Sequence, residues 1–148
     1  MLQTLHPRPA SMTRFVVDSG AVLQLVASEI AIPDAHKLLA PTLLRSQVLS
    51  TLHEAVQRGE LPRAVARDRL TRVARLPIRL LGDSVLRRRA WDLADELGWA
   101  STYNAEYVAL TQLQADALVT TDKDLARSVR SLVTVVSTDD LLSQFQAE

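Results

Sequence analysis

The chain contains no cysteine, which excludes a disulfide framework, thiolate zinc sites and a thiol nucleophile. The same absence fits a reducing, cytoplasmic setting. The three histidines, His6, His36 and His53, are scattered and lack the H-E-x-x-H spacing of a helical zinc site. Phe, Trp and Tyr together make up only 4% of the residues, too few for an extended base-stacking platform. No apolar run approaches the roughly 18 residues of a membrane span. The opening Met1–Ser11 stretch carries Pro7, Arg8 and Pro9 but no apolar core, so it does not read as a secretory signal. Lysine is nearly missing too: two lysines stand against fifteen arginines. A GC-rich coding bias explains that ratio as well as a need for guanidinium groups does, so position has to decide.

What is present suits one compact domain: 148 residues, of which 47% are hydrophobic and 23% charged. Seventeen basic and seventeen acidic residues cancel to a formal net charge of zero. The cancellation hides a segregation. Between Arg58 and Arg89 lie ten arginines and only three acids (Glu60, Asp68, Asp83), a local charge of +7, so the remainder carries −7. Residues 1–12 read as a flexible leader and residues 13–148 as the domain.

Phe15-Val16-Val17 is a short run of β-formers ending at Asp18, as expected of a buried strand. Ser19-Gly20 turns the chain into a helix that buries Val22, Leu25 and Val26 and stops before Pro33. A second strand is expected near Lys37 to Ala40. From Thr42, a plausible N-cap, Leu44, Val48, Leu52, Ala55 and Val56 recur at helical spacing until Gly59. A helix from Pro62 to about Leu76 places Val65, Ala66, Leu70, Val73 and Ala74 on one half of its wheel and Arg67, Arg72 and Arg75 on the other, with Arg79 joining them if the helix persists. An extended segment follows over Pro77 to Leu81. Asp83 or Ser84 caps the next helix, which ends at Gly98, and Trp91 and Trp99 read as packing residues. A helix over Ala105 to Leu113 turns Val108, Ala109 and Leu113 inward. Ala117 to Thr120 is a strand, Leu125 to Val129 a short helix and Leu132 to Val136 a last strand, after which Thr138 caps a terminal helix.

Alternating strands and helices predict an α/β fold: a single three-layer domain with a parallel sheet of four or five strands flanked by helices. In such sheets ligands bind beyond the carboxyl ends of the strands, near a switch in strand order. Asp18 and Asp122 each follow an apolar strand, which marks them as candidate functional acids. As isolated residues they are explained equally well as helix caps.

The surrounding phrases sharpen this. Phe15-Val-Val-Asp-Ser-Gly-Ala-Val-Leu23, Ala40-Pro-Thr-Leu-Leu-Arg-Ser-Gln-Val-Leu49, Tyr103-Asn-Ala-Glu-Tyr-Val-Ala-Leu110 and Leu118-Val-Thr-Thr-Asp122 occur in an order and spacing that resembles the PIN-domain family, in particular its small VapC-like ribonuclease toxins. The resemblance runs from Arg14 to about Leu142. It implies four acidic positions converging at one end of the sheet to hold Mg²⁺ or Mn²⁺ and hydrolyse an RNA phosphodiester. Hard oxygen ligands hold such an ion, which activates water and offsets phosphate charge.

Carried onto this chain, the first acid is Asp18 and the last is Asp122, with Thr120 matching a supporting hydroxyl. The other two positions depart from the pattern. Gln47 stands where the family's P-x-x-x-x-S-E-V phrase has Glu, and Asn104 stands where its Y-D-A-x-Y phrase has Asp. The expected metal ligands are therefore Asp18 and Asp122 with Asn104 as a neutral ligand, and Gln47 joins them as a catalytic-site residue. The site's formal charge falls from −4 to −2. At an effective dielectric near 20, two unit charges about 4 Å apart interact by about 4 kcal/mol, so losing a fraction of that twice weakens a dication site by orders of magnitude.

Of the neighbouring acids, Glu54 lies two helical turns beyond Gln47, and Glu106 is two residues past Asn104 and so points elsewhere. Asp124 is the best supporting candidate, although it also suits a helix N-terminus. Arg45, Arg67, Arg75 and Arg79 are the candidate RNA-binding residues, a basic rim that offsets the repulsion between an acidic site and phosphate.

The resemblance further implies an RNA substrate, an antitoxin-type protein partner bound between the early helices, and a homodimer. Three functions remain in view: a metal-dependent endoribonuclease toxin with a weakened site, a non-catalytic PIN-like module that binds RNA or protein, and a plain interaction module.

Overall fold

The computed structural model describes residues 12–147, so all but the last residue of the expected leader lies outside the described residues. Among the described residues five strands form one sheet in the order β3-β2-β1-β4-β5: β1 (Thr13–Val17), β2 (His36–Pro41), β3 (Ile78–Leu81), β4 (Ala117–Thr120) and β5 (Val135–Ser137). Every neighbouring pair is parallel. Both faces are covered, which is why Val16, Val17, Leu118 and Val119 are fully buried and β1 and β4 read as continuous apolar runs. Burying each such side chain stabilises the fold by about 1.5–3 kcal/mol.

Seven helices among the described residues connect and flank the strands: α1 (Ser19–Ser28), α2 (Leu44–Gln57), α3 (Arg63–Arg75), α4 (Ser84–Leu97), α5 (Tyr103–Gln114), α6 (Lys123–Val129) and α7 (Thr138–Ala147). Helix α5, backed by α4, packs across β1, β2 and β4, whereas α1 packs against β4 and gathers α2, α3 and α7 around it. None of the described helices is long and apolar enough to cross a membrane.

The chain runs outward from β1 to β2 and β3, then returns to the other side of β1 for β4 and β5. The switch in strand order therefore falls between β1 and β4. In open parallel sheets that is where the crevice forms, because the connections leaving the two strands diverge. Val17 pairs with Val119, which sets the residues that follow them side by side.

Several local expectations change. Helix α2 begins at Leu44, and Thr42 makes no cap: the helix has no side-chain cap, and the Thr42 side chain instead abuts Gly82, where a Cβ would lie 2.9 Å from its Oγ1. Asp83, not Ser84, caps α4 by accepting from the Leu86 N–H. The last strand starts at Val135, three residues later than expected, because Val129 C=O accepts the N–H of both Leu132 and Val133 and holds that stretch in a turn. Ser137, not Thr138, caps α7 by accepting from the Asp140 N–H. Trp91 is not a packing residue: it is 64% exposed on the outer side of α4. Leu113 is also exposed, at the end of α5, and Val65 and Ala74 are exposed on α3, whose one buried residue is Ala66. Arg79 does not extend α3; it sits on β3 opposite Leu39.

Candidate active site

Asp18 is the residue at which β1 becomes α1. Its extended backbone makes it the N-cap, and its Oδ1 accepts the Ala21 N–H at 2.9 Å. Its Oδ2 accepts a short hydrogen bond from the Thr120 hydroxyl at the end of β4. Thr120 Oγ1 in turn accepts the Asp122 N–H at 3.0 Å, so one buried threonine ties both strand ends together. Asp122 caps α6, its Oδ1 accepting from the N–H groups of Asp124 and Leu125 at 3.0 Å each.

The close approach of the two loops depends on Gly20. A Cβ at that position would lie 2.3 Å from Thr121 Oγ1, so any side chain would push α1's first turn off the β4–α6 loop. Burial raises the Asp18 carboxyl above its ordinary value, and the Asp122 charge adds to the rise. The Thr120 hydroxyl and Ala21 N–H pull the other way without cancelling it. Two carboxylates that repel across a strand gap, each already fixed by hydrogen bonds, form a preorganised site for positive charge.

The other half of the site is built by helices. Tyr107 and Asn104 lie three residues apart on α5 and share a face, and Gln47 projects from the first turns of α2. The Tyr107 hydroxyl donates to Gln47 Oε1 at 2.5 Å. The phenol is buried and feels the charges of Asp18 and Glu106, which together push its pKa well above the ordinary value. Tyr107 thus connects the amide half to the acid half: it bonds Gln47 and stands within electrostatic range of Asp18. Gln47 and Asn104 both line an open cavity of about 520 Å³ with Trp99, Ser101 and Tyr103. A second cavity of about 230 Å³ opens beside Asp122 and Thr120, bordered by Lys123 and Asp139.

The donor chemistry suits a hard divalent ion held by few protein ligands. Mg²⁺ commonly keeps several waters and takes one or two carboxylates, a demand that Asp18 and Asp122 meet with hard oxygens. Among the described residues no group of three or more His, Cys, Asp or Glu side chains is placed to hold a metal ion. The carbonyl oxygen of Gln47 is already engaged by Tyr107. Asp124 is drawn into an ion pair with Arg127 on its own helix. Glu54 bonds Ser50 and faces Arg58, while Glu106 is half-buried near Arg87.

The arginine tract is less free than its +7 implies. Arg58 pairs with Glu54 and Glu60, Arg72 with Glu29 and Asp68, and Arg89 with Glu96. These exposed pairs add little stability, but they lower the local field. Arg45 is exposed on α2 two residues before Gln47, and Arg67 and Arg75 are exposed on α3. Arg79 instead lines a separate cavity with Arg14, Lys37 and Gln114, which shares no residue with either cavity of the site.

Two contributors escaped the sequence reading. Tyr107 sits in the quoted Tyr103–Leu110 phrase, and its i, i+3 relation to Asn104 was the available signal. Gly20 carried only a turn signal, since the contact it permits comes from a residue 101 positions away.

No family model matches the sequence. Over 111 residues the chain is 32% identical to a VapC ribonuclease of Mycobacterium bovis, covering 75% of this chain and 80% of that protein. The same figures hold for ribonuclease VapC9 of Mycobacterium tuberculosis. The fold matches the crystal structure of PAE2754 from Pyrobaculum aerophilum with a TM-score of 0.73 at 22% identity, over 93% of this chain and 99% of that one.

Proposed function

The chain belongs to the VapC-like family of PIN-domain proteins, and from that premise we propose that it is a Mg²⁺- or Mn²⁺-dependent endoribonuclease, the toxin of a toxin–antitoxin pair, with a weakened metal site. The observation that carries the reading is the pairing of Asp18 with Asp122 through Thr120 at the switch point of the sheet. Asp18 and Asp122 hold the ion, and Gln47, bonded by Tyr107, lines a neighbouring wall of the site with Asn104. When bound, such an ion supplies an activated water and offsets charge on the scissile phosphate. Thr120 fixes the Asp18 carboxylate in one orientation, and the α1 and α6 N-termini hold the two acids against strand ends that cannot shift without breaking the sheet. Arg45, together with Arg67 and Arg75 on the α3 surface, draws the phosphate backbone inward.

The antitoxin-type partner docks as an apolar helix against α2 and α3, where Leu49, Leu52, Val56, Ala66 and Leu70 line a cavity of about 180 Å³ and Leu49 is 56% exposed. The active form is a cytoplasmic homodimer. A second reading, a non-catalytic module that binds RNA or protein through the same cleft, draws on one observation: a third acid is missing from the described site. Cleavage of single-stranded RNA in Mg²⁺ or Mn²⁺, with Asp18→Ala as control, separates the two. Divalent-dependent cleavage that disappears in the variant supports the nuclease; cleavage that survives it, or none by the intact protein, favours the binding module.

A further inference from the structure

The cavity at Gln47 and Asn104 has a different chemistry from the Asp18–Asp122 pair. Its lining carries no charged residue. Two primary amides, the Ser101 side chain and two aromatic rings surround it. Tyr103 is 57% exposed, although the sequence holds so few aromatics that one left in water at a cleft stands out. Trp99 is half-buried, packed against the core and lining the cavity. The Tyr107 hydroxyl occupies the Gln47 carbonyl oxygen, which leaves the amide's N–H groups for the cleft. Asn104 contributes both a donor and an acceptor.

Paired donors and acceptors between aromatic rings are what an unstacked nucleobase requires: its edge is read by amides and its face by a ring. A phosphate or a cation would instead call for charge. The volume, about 520 Å³, exceeds a lone ion's need and falls within the usual range of small-molecule sites.

Resting on the nuclease reading for the identity of the strand, we infer that the Gln47–Asn104 cavity is a nucleobase pocket for single-stranded RNA, with Tyr103 and Trp99 as its stacking faces. The base of a nucleotide flanking the scissile phosphate enters it while the phosphate lies at Asp18 and Asp122. The two amides that depart from the acidic pattern then bind substrate in place of metal. Tyr107 is a positioning residue, since it orients the Gln47 amide.

The test uses the full chain carrying Trp91→Phe, which leaves Trp99 as the one tryptophan. Fluorescein-free pentaribonucleotides of A, C, G or U, and an abasic ribose-phosphate pentamer, are titrated in EDTA so that no cleavage occurs. At least one base-bearing oligomer is expected to quench Trp99 emission, and the abasic strand is not. Tyr103→Ala should weaken that oligomer about tenfold while Tyr103→Phe binds normally, given the usual strength of base–aromatic stacking. Tyr103 is exposed and lies outside the buried core, and a melting curve of each variant checks that folding is retained. Failure of every oligomer to quench, quenching by the abasic strand alike, or unchanged affinity of Tyr103→Ala overturns the pocket. Quenching with the expected variant pattern but without cleavage in Mg²⁺ upholds the pocket and removes only the nuclease reading; cleavage with no quenching does the reverse.

Discussion

The two halves of the candidate site are made in different ways. Asp18 and Asp122 extend from adjacent parallel strands, and their positions follow from the Val17–Val119 register and a single buried threonine. Gln47 and Asn104 come from two helices on separate stretches of chain, joined through one phenol–amide hydrogen bond. The strand-borne half carries the acids, and burial together with the neighbouring Asp122 charge raises the Asp18 carboxyl. The helix-borne half is neutral and opens into a wider, aromatic-lined space. Charge is thus concentrated at hydrogen-bonded strand ends, and neutral hydrogen bonding where side chains project from helix faces. Phosphate chemistry needs the first and base recognition the second.

The largest effect that tests this contrast is loss of the acid half. Asp18→Asn should lower divalent-dependent cleavage by more than the roughly 10–100-fold that losing an outer-shell partner costs, measured as initial rates on a single-stranded RNA. Recharging the amide half comes next. Gln47→Glu with Asn104→Asp is expected to tighten Mn²⁺ binding by tenfold or more in calorimetry, because two added charges near the ion each contribute a share of the roughly 4 kcal/mol that a close pair is worth. Unchanged affinity would mean that the helices do not bring positions 47 and 104 to the ion, and that the halves are functionally separate.

Tyr107→Phe removes the link between the halves. Losing a part-buried hydroxyl while leaving Gln47 Oε1 unpaired should cost about 1–3 kcal/mol of stability by denaturant titration, with a smaller loss of cleavage than Asp18→Asn causes. The smallest effect is on pH dependence. Asp18 has a raised carboxyl pKa when folded, so the stability linked to its neutral form is complete below the ordinary value of 3.8 and is lost as pH rises through the higher folded value. In EDTA, Asp18→Asn should therefore melt higher than the parent chain at pH 7, and the gap should close near pH 3. A gap that widens toward acid would show that the carboxylate is stabilised, not strained, by its surroundings.

Much of this was legible from local pattern. The apolar runs before Asp18 and Asp122, the helical periodicities and the alternation of strands with helices led to a parallel α/β sheet, and the sheet has that form. Caps were less legible. Thr42 and Thr138 have good capping chemistry, yet Leu43 and Ser137 occupy the junctions, because the approach of each strand set where the first helical turn begins. Trp91 was read as packing on size alone, while its place on the outer row of α4 leaves it in water. The arginine tract was counted correctly, but Glu29 and Glu96, outside it in sequence, neutralise Arg72 and Arg89 in space.

The opening absences belong to the sequence alone: a chain without cysteine, with scattered histidines and few aromatics, had oxygen donors as its chemistry before any fold was known. Residue order also determined that Asp18 and Asp122 would end strands and that positions 47 and 104 would carry amides. Only the tertiary structure decided that Thr120 would bind both acids together, that Gly20 would admit Thr121, and that Tyr107 would take the Gln47 carbonyl. It also brought two of the few aromatic side chains, Trp99 and Tyr103, to the same cavity as the amides. The reason is range: periodicity and capping act over a turn or two of chain, whereas these contacts join residues dozens of positions apart and arise only from strand register and helix packing.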